Sequence, residues 1–102
     1  MAVLITRPIN IQPYINAICQ SVLVADTITE LQAFCQRMFP DLTPARYIND
    51  HRGYFVLLTK RQGLKALSSG ASEVTTTRAF ACAGWLGRDY QDRLAKKLRT
   101  AQ

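Results

Sequence analysis

The segment Ser21–Phe39, SVLVADTITELQAFCQRMF, switches from one backbone periodicity to another within two residues. Ser21–Ala25 is a short apolar run of strand length, and Ile28, Leu31, Phe34, Cys35 and Met38 recur at helical intervals. Asp26 or Thr27 is placed to cap the helix, and Thr27 with Glu30 has the S/T-x-x-E spacing of a capping box. A buried strand turning directly into an amphipathic helix requires a layered sheet-and-helix fold. At 102 residues the chain can bury one core but not two, so a single domain is expected over residues 1–102.

Other segments extend this unit. Val3–Thr6 reads as a first strand ended by Arg7-Pro8. Between Ile9 and Ile18, either a short helix starting near Pro13 or an extended connection fits. Pro40 and Pro44 stop the first long helix, and Ala45–Ile48 reads as a strand. Asn49–Gly53 reads as a loop of about five residues closing a hairpin with Tyr54–Thr59. YFVLLT is apolar at nearly every position, so it is expected to be a central strand buried on both faces.

Thr59 is expected to cap a helix over Lys60–Ser68, with Leu64 and Leu67 inward and Lys60, Arg61 and Lys65 outward. Gly63 weakens that helix by about 1 kcal/mol relative to alanine. Ser72–Thr75 reads as an edge strand. Thr76 or Thr77 then caps a short helix ending at Gly84 or Gly87, with Trp85 as a large packing anchor. A separate amphipathic helix follows over Asp89–Ala101, with Tyr90, Leu94 and Leu98 on one side. The expected fold is α/β (α+β): a mixed sheet of four to five strands with two to four helices.

Composition narrows the function. No run approaches the roughly 20 apolar residues of a membrane span, and Arg7-Pro8 interrupts the N-terminal apolar run too early for a signal peptide. A cytoplasmic protein with no membrane partner is expected. Cys19, Cys35 and Cys82 are odd in number and widely spaced, which fits neither a disulfide framework nor a zinc site. The net charge of +6 is uneven. Up to His51, three basic residues face four acidic ones; from Arg52 onward there are ten basic residues and three acidic ones. That asymmetry points to an anionic partner.

At VLVADTITELQAF the chain resembles a family of small phage and bacterial proteins, the domain of unknown function 4031. The matching blocks are Val3–Ile5, Ala25-Asp26-Thr27, Glu30–Phe34, Lys60-Arg61 and Ala66–Val74. The resemblance implies a strand, a helix, a further short strand and a basic stretch, in that order. Family members carry acids after the first strand, where Thr6-Arg7 stands here. They carry a histidine at the position of Val22, and a histidine-tyrosine-aspartate run at Gly53-Tyr54-Phe55. The resemblance carries over no activity of the family, and the loss of these groups implies that any enzymatic chemistry the family has is lost in this member.

No catalytic residue, metal ligand or cofactor is assigned. The expected function is that of a small non-enzymatic phage- or prophage-type accessory protein, for example an anti-defence (anti-CRISPR) inhibitor. Its partner is expected to be a host protein complex or nucleic acid, with homodimerisation through Trp85 and Tyr90 left open. The partner-binding residues are Arg52, Lys60, Arg61, Lys65, Arg88, Arg93, Lys96, Lys97 and Arg99. Two alternatives stand beside this. One is a nucleic-acid-binding protein, including a helix-turn-helix over Thr76–Arg99 with its turn at Gly84–Gly87. The other is a degenerate metal-dependent nuclease or hydrolase built on Asp26, His51 and a neighbouring acid.

Overall fold

A computed structural model of the chain describes residues 3–8 and 21–100. Five strands form one sheet in the order β3-β4-β2-β1-β5. They are β1 (Val3–Ile5), β2 (Ser21–Ala25), β3 (Tyr47–Asp50), β4 (Gly53–Leu58) and β5 (Ser72–Glu73). The helices are α1 (Ile28–Met38), α2 (Lys60–Ser68) and α3 (Thr76–Thr100). The α+β fold with a five-stranded mixed sheet is therefore as expected. The proposed helix near Pro13 and the thiol of Cys19 lie outside the described residues.

β2 and β4 occupy the middle of the sheet, and every residue of both is buried, as their apolar runs require. β1 pairs antiparallel with β2 and parallel with β5. Its end is secured by Thr6, whose N–H donates to the Val22 carbonyl while its Oγ1 accepts from the Val22 N–H, each at 3.0 Å. The side chain thus stands in for a ladder carbonyl.

The pairing register puts Ile5, Ser21, Leu23, Val56 and Leu58 on one face and Leu4, Val22, Val24, Phe55 and Leu57 on the other. α1 and α2 cover the first face. Gln32 Nε2 of α1 donates to the Tyr54 hydroxyl at 3.5 Å, and a Cβ added to Gly63 of α2 would stand 2.8 Å from Ser21 Oγ. α3 covers the second face, with the Phe80 ring edge-on to Phe55 at 5.5 Å. At the Gly53 end of the sheet the layers meet: Tyr54 lies 5.3 Å from Tyr90, and Cys82 Sγ donates to the Ala25 carbonyl.

The caps expected from Thr27 and Thr59 are present, whereas Thr75 supplies the one expected from Thr76 or Thr77. Thr27 Oγ1 accepts from Glu30 N–H at 3.1 Å. At α2 a complete capping box joins Thr59 and Gln62.

Several expected features differ in the structure. Ala45 belongs to a 3-10 turn, Pro44–Arg46, because proline at its first position favours that turn; β3 begins at Tyr47. The hairpin loop is the two residues His51 and Arg52, since Asp50 already pairs with Gly53. Gly53 makes this possible by taking φ of 121°.

Leu64 and Leu67 point outward, Leu64 at 59% exposure, while Gly63 and Ala66 face the sheet. The helix lies too close to Ser21 and Ile5 for a large inward residue.

Finally, Thr76–Thr100 is one continuous helix capped by Thr75, whose Oγ1 accepts from Arg78 N–H. Gly87 does not end the helix. It lets the helix cross Gly53 in direct backbone contact, and a Cβ there would fall 2.9 Å from Gly53 Cα. Without a turn at Gly84–Gly87 the helix-turn-helix arrangement is excluded. Trp85 is 71% exposed and anchors nothing in the core, whereas Tyr90 is half-buried against Tyr54.

Candidate functional site: the exposed end of α3

α3 packs along the sheet through Ala79, Ala83 and Leu86, all buried. Beyond Tyr90 it leaves the sheet. A 25-residue helix is about 37 Å long, and β4, the strand it crosses, is only six residues, or about 20 Å. Every residue from Gln91 to Arg99 is exposed. Arg93, Lys96, Lys97 and Arg99 lie on this stretch, with Asp92 as its one acid. The arrangement extends the end of the helix into solvent, with cationic groups near its C-terminus as the dipole favours.

The remaining candidate cations are placed differently. Arg88 is exposed one turn earlier, its guanidinium 5.4 Å from the centre of the Trp85 ring. Arg93 pairs with Asp89 at 3.1 Å across one helical turn, a surface contact worth a few tenths of a kcal/mol, about 0.3–0.5. Lys60, Arg61 and Lys65 sit on α2, on the opposite face of the sheet, so the nine expected residues do not form one surface. Lys65 Nζ donates to the Met38 carbonyl at 3.3 Å and lies above the Phe39 ring. Arg52 is held in the hairpin turn: its Nη2 is 2.9 Å from Asp50 Oδ2, while Asp50 Oδ1 accepts the Arg52 backbone N–H at 2.8 Å. That pair fixes the turn.

The residues considered for bond-breaking chemistry are also dispersed. Asp26 borders a cleft with Trp85 and Asp89, and His51 borders another with Gly84 and Gln91, on different sides of α3. Among the described residues, no group of three His, Cys, Asp or Glu could hold a metal ion. Thr6 completes the β1–β2 ladder, Arg7 pairs with Glu73 at 3.3 Å, and Val22 and Phe55 are fully buried.

Cys35 and Cys82 are free thiols. Burial pushes the Cys35 thiol up to about 11, against a smaller opposing effect of the Tyr47 hydrogen bond. Burial likewise pushes the Tyr47 hydroxyl up to about 12, with Cys35 adding to it. Cys82 is raised by burial and by Asp26. Because folding favours the protonated Cys35, its contribution to stability is complete below pH 9 and declines as pH rises through about 11. In a pH series of denaturant melts, a Cys35→Ala variant is therefore expected to lack part of the alkaline decline of the wild type. At neutral pH, Cys35 is expected to react with a thiol reagent only on unfolding. Rapid native labelling at Cys35, located by mass spectrometry, would contradict the assigned burial.

Among the described residues no helix is long and apolar enough to cross a membrane. Comparison of the chain with family models, with curated proteins and with solved structures finds no match.

Proposed function

We propose that this chain is a non-enzymatic binding protein that meets an anionic macromolecular partner through the exposed end of α3. The observation that carries this reading is the stretch Gln91–Arg99, exposed throughout and bearing four cations and one acid. Arg88 extends the same cationic helix toward the sheet. A short helix in water is marginal by itself. Here the packed half, anchored by Ala79, Ala83 and Leu86, holds the exposed half in helical form before any partner arrives. A preformed element loses less conformational entropy on binding.

An accessory role follows from the same reading: a small phage- or prophage-type protein, such as an anti-CRISPR inhibitor, covering an acidic face of a host complex. Support comes from the resemblance to the domain of unknown function 4031 family, whose blocks fall on β1, on the β2–α1 junction, on the start of α2 and around β5. Two free thiols favour a reducing compartment, the cytoplasm.

Titrating salt against the binding of polyglutamate and duplex DNA tests the cationic contact. Affinity should fall steeply with salt. Reversing Arg93, Lys96, Lys97 and Arg99 to glutamate should abolish binding, while Lys60→Glu with Arg61→Glu on α2 should leave most of it. Equal loss from both sets would show that net charge, not α3, governs the contact, and would overturn the reading.

A further inference from the structure

We infer that the partner is a protein, which takes the end of α3 into an apolar groove bordered by carboxylates. This rests on the preceding reading of α3 as the anionic contact and names the class of partner. At about 100° per residue, Tyr90, Leu94 and Leu98 continue the line of Ala83 and Leu86 along one side of the helix. That line is buried as far as Leu86 and half-buried at Tyr90, and then runs out of sheet. Leu94 is 39% exposed and Leu98 62% exposed.

Leucines at i and i+4 on an exposed helix match the anchors of a helix seated in a protein groove. A phosphate backbone makes no use of them, and a helix reading base edges would turn polar side chains toward the groove. Arg93 and Lys97 immediately precede the two leucines and flank them along the helix, so the groove that accepts the leucines must carry acids on that border.

A second copy of this chain is a poorer occupant. Pairing the same stretch with itself would set Arg93 and Lys97 against their own counterparts.

Three probes separate the possibilities: a four-heptad peptide with leucine at a and d and glutamate at e and g, polyglutamate, and duplex DNA. The wild type is expected to bind the peptide most tightly. Leu94→Ser with Leu98→Ser should weaken peptide binding by about tenfold or more and leave polyglutamate and DNA unchanged. Both leucines are exposed, so the variant should melt like the wild type, and circular dichroism checks this. Unchanged peptide binding by the variant, or tighter binding of DNA than of peptide by the wild type, overturns this inference but spares the cationic contact. Failure of the wild type to bind any probe overturns both. Concentration-dependent dimerisation abolished by the leucine variant would instead assign the seam to a second copy and overturn the inference.

Discussion

Gly53→Ala is expected to cost about 3 kcal/mol or more, and to lower the melting temperature by more than about 10 °C. Two effects combine. Gly53 has φ of 121°, a conformation side chains rarely adopt, and an added Cβ would run into the Ala83 carbonyl oxygen. The obstacle is helix backbone, which cannot rotate aside. Gly87→Ala meets Gly53 Cα at 2.9 Å from the other side and should also destabilise, its steric cost exceeding the gain of about 1 kcal/mol in helix propensity. Gly84 provides the control. Nothing lies within 4 Å of a Cβ there, so Gly84→Ala should stabilise by about 0.5–1 kcal/mol. Thermal melts of the three variants decide the matter. A Gly84→Ala protein as damaged as Gly53→Ala would mean that the helix does not cross the hairpin as described.

Phe55→Ala should cost about 3–5 kcal/mol, whereas Trp85→Ala should change stability by no more than about 0.5 kcal/mol. Phe55 is fully buried in β4 and meets Phe80 edge-on, so truncation removes its transfer energy and leaves a cavity between sheet and α3. Trp85 is the larger residue, but it is 71% exposed and stacks on Arg88 in solvent. Denaturant melts with matched slopes would measure both changes. A substantial loss on removing Trp85 would place its ring in the core.

The contrast between these two aromatics marks where the sequence was legible. β2, β4, α1 and α2 could be read from runs and spacings because Thr27 and Thr59 punctuate them locally, and nearby residues make those caps. What could not be read depends on distant contacts. Gly84 and Gly87 look like helix terminators one at a time. They lie inside α3 because Ala79, Ala83 and Leu86 bury against the sheet and Gly87 fits Gly53, a partner that only the hairpin brings near. Spacing in α2 likewise favoured Leu64 and Leu67 as the inner face, but the closeness of Ser21 selects Gly63 and Ala66.

The candidate site was half legible. The cations of the last helix and the Tyr90–Leu94–Leu98 line are plain in the sequence. That α3 outruns the sheet, leaving this line uncovered, follows only from the helix being continuous. The wider set of nine cations could not be resolved into surfaces without knowing that α2 and α3 take opposite faces.

The position of β1 between β2 and β5 governs how a newly made chain must assemble. As synthesis proceeds, the β1–β2 ladder can form first, with open hydrogen-bonding edges on both sides. One edge waits for β4, and the other for Ser72 and Glu73, which emerge last of all the strand residues. Until then the nascent chain exposes an apolar ribbon that neighbouring chains can extend, the state most vulnerable to aggregation. Crowded expression, rather than heat, is where that vulnerability is felt.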